Sequence, residues 1–314
     1  MRLLKFLTLT FFAFVTAGSL FAQSFTFNCT RDTVIGRCQG PLCFTLKANI
    51  PDIHISSGSY TVNPIGATPS ACFPVYIQPN DPTGDTTSLT IDDIYSDVIN
   101  IGFPFPFYGT VYNNLIASSN GVVSFDVSKT GQFAHYGMLR DVNFLSATAG
   151  VPEDLPSSLY DAALIMGPYH DLNPEYPTSP TRIVQRKTIG TSPHRKWILS
   201  YYKLPLYFVT GGCNLLIENT HQIVLYESTG IIEVLVFSSQ PCLGWNDGRA
   251  MIGIQNFAKN QALMVSGRRA SDNPWSVTNE AYRFVPSAGT ALFKRVELYD
   301  IIGNLLTTGT TINL

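Results

Sequence analysis

The run Gly167-Pro-Tyr-His-Asp-Leu-Asn-Pro174 sets an imidazole beside a carboxylate. His170 and Asp171 can bind a metal, or act as part of an acid–base pair, if a third group converges on them. The plainer reading is a strand end, with Asp171 and Asn173 capping a turn before Pro174. A second acidic stretch holds Asn80, Asp81, Asp85, Asp92 and Asp93. Oxygen donors of this kind suit Ca²⁺, which makes Asp92 and Asp93 the metal candidates. The spacing matches no calcium loop, however, and Asp and Asn are ordinary turn residues. In Gly244-Trp-Asn-Asp-Gly-Arg249, Trp245 sits among turn formers close to Cys242. With Asn246 and Asp247 it can offer a ligand a stacking surface and hydrogen bonds, and Tyr169 can do the same beside His170 and Asp171. The competing expectation is that Trp245 packs over a disulfide, because large aromatic side chains are mostly buried. His194-Arg-Lys-Trp197, and Gly267-Arg-Arg269 followed by Asp272 and Trp275, place cations near aromatic rings that can grip an anion or a sugar. The plainer reading of the first is a polar loop feeding a buried strand, and the second is similarly open.

None of these groups completes an enzyme signature. The sequence has no G-x-S-x-G elbow, no phosphate-binding G-x-x-x-x-G-K-[ST] loop, no H-E-x-x-H and no C-x-x-C. The reading is a non-catalytic protein without a cofactor. A carbohydrate-binding module using Trp245, Trp275 or Tyr169, with Ca²⁺ assisting, is the first alternative. A hydrolase built on His170 and Asp171 is the second.

The elements that must position these residues are strands. Apolar, β-branched and aromatic runs recur between clusters of Gly, Pro, Asn, Asp and Ser, and no amphipathic helix stands out. The clearest hairpin joins His221–Glu227 to Ile231–Phe237, with Gly230 supplying the left-handed residue of the turn. Both arms are apolar throughout, which predicts a place in the middle of a sandwich. Further strands are expected at 98–103, 115–119, 122–127, 162–166, 182–187, 197–202, 250–255 and 282–285. The fold class that follows is all-β, an antiparallel β-sandwich.

At the N-terminus, Arg2 and Lys5 precede an apolar run and small residues, so 1–22 reads as a signal peptide cleaved after Ala22. No later stretch is apolar for long enough to span a bilayer as a helix. Charged residues are 13% of the chain and the net charge is −2, which offers no basic field for nucleic acid or an anionic membrane. Cys29, Cys38, Cys43, Cys72, Cys213 and Cys242 form an even set in an exported chain, which favours disulfides. Their grouping predicts two bridges within the first four and one joining Cys213 to Cys242. The domain expectation is a small cysteine-rich β unit at 23–80, the main sandwich at 88–287, and at 290–314 the first strands of an incomplete following domain. The turn-rich segment 79–87 is the boundary between the first two.

Three motifs in order carry a family resemblance: Phe103-Pro-Phe-Pro-Phe-Tyr-Gly109, Ala117-Ser-Ser-Asn-Gly-Val-Val-Ser-Phe125, and Leu164-Ile-Met-Gly-Pro-Tyr-His-Asp-Leu-Asn173. Together they resemble the NIDO-like extracellular β-domains. With Ile217–Glu227, Trp245–Ala250 and Asn279–Phe284, the chain also resembles the N-terminal regions of Bacteroidetes surface proteins that are gliding motility-associated and exported by type IX secretion. The likeness spans about Cys29 to Val285. It implies a secreted or cell-surface module for adhesion or scaffolding, followed by a further immunoglobulin-like domain, and leaves unknown which extracellular protein or glycan surface it meets. It supplies no catalytic residues and no ligand. No complete sorting domain follows Tyr299, a departure from that group.

Overall fold

The structure, a computed structural model, describes residues 23–27, 44–48, 54–65, 83–207, 213, 216–272, 274–291, 296–299, 304–309 and 312–313. The expected signal peptide at 1–22, and Cys29, Cys38, Cys43 and Cys72, lie outside the described residues. The chain divides into two compact units, Met1–Pro51 with Phe293–Leu314, and Asp52–Leu292.

In the first unit β1 (Gln23–Phe27) runs parallel to β2 (Phe44–Ala48), and β21 (Ile312–Asn313) closes the sheet antiparallel to β2. β19 (Val296–Tyr299) and β20 (Leu305–Gly309) form an antiparallel hairpin. The two strands expected around a turn after Val296 are therefore present. Because β2 pairs with β21, residues that the sequence pattern assigns to separate N- and C-terminal domains share one sheet.

The second unit is an antiparallel sandwich. Its seven-stranded sheet runs in the order β3 (His54–Pro64), β18 (Val277–Ala291), β15 (Ile232–Ser239), β14 (Glu218–Tyr226), β13 (Lys196–Pro205), β12 (Ile183–Ile189) and β4 (Asp85–Thr86). The six-stranded sheet runs β17 (Ala262–Met264), β16 (Met251–Gln255), β11 (Leu164–Tyr169), β7 (Val122–Ser124), β6 (Thr110–Ala117) and β5 (Ile99–Phe107). A small third sheet, β10 (Val151–Pro152), β8 (Leu139–Asp141) and β9 (Phe144–Ser146), completes the unit. No α-helix occurs among the described residues.

Alternation explains β5. Ile99, Ile101, Phe103, Phe105 and Phe107 are all buried, while Pro104 and Pro106 fall on the other face. Proline lacks the N–H a central strand needs, and β5 lies at the edge of its sheet. The expected hairpin is β14–β15, in register from Leu225↔Ile232 to His221↔Val236, with Gly230 at φ +62°. Its apolar density has a structural reason, since Ile223 and Leu225 face the main core while Val224 and Leu235 join Ile198 and Ala281 in a separate cluster. The strand expected at 122–127 ends earlier, at Ser124. Asp126 accepts a hydrogen bond from the Ser128 N–H and turns the chain into a short 3₁₀ segment at Val127–Lys129.

β3 and β4 lie outside the expected limits 88–287, yet β3 pairs with β18 and β4 with β12. β3 contributes mainly main-chain hydrogen bonds at a sheet edge. Tyr60 is the one large buried side chain among those described in the strand, whose sequence carries little apolar signal.

The main core lies between the two large sheets, where Phe105, Phe107 and Phe125 meet Trp197, Tyr201, Val234 and Phe284. A second cluster, with Val122, Leu164, Met166 and Met251, packs on Met138, Leu145, Tyr160 and Tyr169. β11 and β7 are therefore buried on both faces, which holds the loops leaving them in fixed positions.

Candidate functional site

Three turns meet at the end of β11: Ile91–Ile94, the Ser118-Ser-Asn-Gly121 turn between β6 and β7, and the segment His170–Asn173. Asn120 joins them. Its side chain is fully buried, its Nδ2 donates to Asp93 Oδ1 at 2.9 Å and to the His135 carbonyl at 3.2 Å, and its Oδ1 accepts from the Leu172 N–H at 2.9 Å. Gly121 follows at φ +80°, and a Cβ there would stand 2.6 Å from the Pro168 carbonyl oxygen. Gly167 bonds back to the Gly121 carbonyl, and a Cβ on Gly167 would meet His221 Cδ2 at 2.7 Å. The two glycines let the turn and the strand end approach closely over the buried His221 ring, which stacks on Tyr201 at 4.4 Å.

Asp171 lies at the centre. Its Oδ2 accepts from the indole N–H of Trp245 at 2.6 Å, and its Oδ1 is buried with no hydrogen-bond partner. One carboxylate oxygen from each of Asp92, Asp93 and Asp171 falls within 4.8 Å of the others. Asp92 is oriented by the Asn173 amide, which donates to its Oδ2 at 2.8 Å, and by the Asp93 N–H on its Oδ1. Among the described residues, no cation pairs with any of the three. Burial, then the Asp93 charge, pushes Asp92 up to about 7, and burial pushes Asp93 up to about 6. Asp171 is raised well above the usual carboxylate range, first by burial and then by Asp93.

The turn after Cys242 brings the aromatic side. Cys213 and Cys242 form the expected disulfide, with Cα atoms 5.4 Å apart. The Cys242 carbonyl accepts from the Trp245 N–H, and Trp245, half-buried, packs on the core cluster that contains Cys242. Its ring lies near Tyr207, at 5.0 Å between centroids, and is stacked near Tyr136 at 6.2 Å. Asn246, Asp247 and Gly248 all take positive φ, at 50°, 50° and 69°, a run that these three residue types tolerate best.

Several candidate side chains are structural. Tyr169 is 2% exposed, donates its hydroxyl to the Gly137 carbonyl and meets Tyr160 edge-on, so it is a core residue and offers no platform. Trp275 is buried and donates to the Ala250 carbonyl. His170 does not bond to Asp171. Its Nε2 lies 2.7 Å from Ser239 Oγ, and burial lowers its pKa to about 3. Asn246 is buried, with its Nδ2 donating to the Tyr136 carbonyl. Asp247 is exposed, 3.7 Å from Arg249. The basic group at 194–197 is also committed: Arg195 forms a bidentate pair with Glu227, and Trp197 is in the core.

A family profile described as NIDO related matches residues 75–293. The chain belongs to this NIDO-related family. No curated protein and no solved structure matches it. Membership makes this an extracellular-type domain, and no described helix is long and apolar enough to cross a membrane. Each motif behind the sequence resemblance has a structural place: Phe103–Gly109 is the edge strand β5 with its turn, Ser119–Gly121 the buried turn, and Gly167–Asn173 the segment that carries Asp171. Asn120, Tyr136 and Tyr207 are further site residues, outside the candidates singled out by residue type. Only Asn120 has a sequence signal, its position in Ser-Asn-Gly.

Proposed function

We propose that this NIDO-related chain is a non-catalytic secreted or surface module for adhesion or scaffolding, of the kind carried by gliding motility-associated proteins exported by type IX secretion. The observation that supports it most is the family match across 75–293. The chemistry-bearing side chains are consistent with it. His170 is buried with its Nε2 2.7 Å from Ser239 Oγ, and among the described residues no carboxylate bonds to its ring, so the hydrolase alternative gains no support there. The likeness of Ile217–Glu227, Trp245–Ala250 and Asn279–Phe284 to the Bacteroidetes group supports the finer assignment.

A glycan-binding role is favoured by one feature, the partly exposed rings of Trp245, Tyr207 and Tyr136 beside the acidic group. Binding of the purified chain to immobilised extracellular proteins and glycans, compared with Trp245→Ala, separates the two. Saturable protein binding retained in the variant supports adhesion through other faces. Sugar binding lost in the variant supports the glycan role. Turnover of any bound glycan or peptide contradicts the non-catalytic reading.

A further inference from the structure

We propose that Asp92, Asp93 and Asp171 form a Ca²⁺ site that ties the Ile91–Ile94 turn to the end of β11. The inference goes beyond the adhesive reading and stands without it.

The geometry of the donors carries it. Oxygens bound to one Ca²⁺ lie about 2.3–2.6 Å from the ion, so two of them can be no more than roughly 5 Å apart. The three carboxylate oxygens fall within 4.8 Å of one another. They come from two segments about 80 positions apart in sequence, brought together by Asn120 and by the Asn173–Asp92 hydrogen bond at 2.8 Å. Both amides are neutral donors: they orient the carboxylates and leave their charge uncompensated, the usual role of groups that support metal ligands.

The independent observation is Asp171 Oδ1. The residue is 4% exposed, its Oδ2 is taken by Trp245, and its Oδ1 is buried without a partner. An unpaired oxygen on a buried carboxylate is costly unless a proton or a cation satisfies it. Two further carboxylates within reach select the cation. All-oxygen donors select a hard ion, and three protein ligands with water completing a shell of six to eight suit Ca²⁺ better than Mg²⁺, which demands a tighter octahedron.

The test uses the full purified chain, freed of metal with EDTA and then exchanged into chelator-free buffer. Tb³⁺ luminescence sensitised by Trp245 and Tyr136 reports occupancy, and calorimetric titration with Ca²⁺ gives stoichiometry. One Ca²⁺ per chain is expected, with Tb³⁺ displaced by Ca²⁺ and a melting temperature that rises with Ca²⁺ and saturates. Asp171→Asn and the less buried Asp92→Asn should each weaken Ca²⁺ at least tenfold. Asp92→Asn guards against loss of fold, checked by circular dichroism, and Asp126→Asn, on the 3₁₀ turn and outside the group of three carboxylates, should bind as wild type. Absence of saturable Ca²⁺ binding, binding unchanged in folded Asp92→Asn, or Mg²⁺ bound as tightly as Ca²⁺ would each overturn the assignment.

Discussion

The indole N–H of Trp245 donates to Oδ2 of Asp171 at 2.6 Å, joining a turn after Cys242 to the end of β11 across 74 positions of sequence. Two segments whose separate chemistry is ambiguous thereby become one site. Trp245→Phe keeps a ring on the core and removes the donor, leaving a second Asp171 oxygen unsatisfied. The expected cost is about 1–3 kcal/mol, the range for a buried acceptor left without its partner. Urea unfolding should show the midpoint falling with the slope unchanged, and an unchanged midpoint would mean that the bond contributes nothing.

Asn120 has no exposed atom to offer a ligand, and its three connections predict a structural effect. Asn120→Ala frees the Leu172 N–H and the His135 carbonyl inside the fold. It should cost on the order of 3 kcal/mol, given roughly 1–3 kcal/mol for each buried group left unpaired. Thermal unfolding would check this, and a loss of well under about 1 kcal/mol would refute the role given to the residue.

Glycine is required at some positions and merely convenient at others. Gly167→Ala places a Cβ 2.7 Å from the His221 ring, and Gly121→Ala places one 2.6 Å from a carbonyl oxygen. Both variants should express poorly or unfold at markedly lower temperature. Gly109, at φ +80° with open space around it, should lose only about 1 kcal/mol on change to Ala, the cost of a left-handed backbone. Equal effects at the three positions would contradict this reading of the turn.

Acid should destabilise the sandwich partly through His221. Its ring is buried without a partner on either nitrogen, and burial, helped by His170, lowers its pKa to about 3. The unfolded chain takes up the proton near pH 6.5 and the folded chain does not, so stability falls as pH drops from about 6.5 toward 3, by up to about 1.4 kcal/mol per pH unit. Glu227, held at about 2 chiefly by its hydrogen bond from Arg195, adds a loss in the same direction below about 4.5. Asp92 and Asp93, raised to about 7 and about 6, act with opposite sign over much of the same window. The decisive comparison is therefore wild type against His221→Asn, whose stability difference should shrink as pH falls from 7 to 4. A constant difference would show that His221 takes up its proton over the same pH range in the folded chain as in the unfolded one.

The disulfide closes a loop with a sequence separation of 29, which corresponds to roughly 3–4 kcal/mol of chain entropy. Cys213→Ser should lower stability by a large part of that amount and loosen the turn under Trp245. Peptide mapping of the oxidised protein should recover Cys213 linked to Cys242, and any other partner for either cysteine would contradict the structure.

Periodicity made much of this fold readable, because β5 and the β14–β15 hairpin bury side chains at the spacing their sequences show. The ends were harder. β3 holds its place through main-chain hydrogen bonds and Tyr60, so its Ser- and Thr-rich sequence resembles a loop, and β4 is two residues long. The site was legible as parts. His170–Asp171, Asp92–Asp93 and the Trp245 turn each stand out by residue type, but their convergence on Asp171 depends on long-range pairing that no local pattern encodes. Burial also reassigned chemistry: Tyr169, Trp275 and His170 have reactive or stacking side chains by type, and packing turned all three inward.

The most direct test of the proposed adhesive role is attachment of the cells that make this protein. A strain lacking the gene should adhere less to a surface than its parent and should recover when the full-length protein is restored, with protease added outside intact cells removing the protein and the adhesion together. Attachment unaffected by the deletion, or a protein that external protease never reaches, would contradict the account.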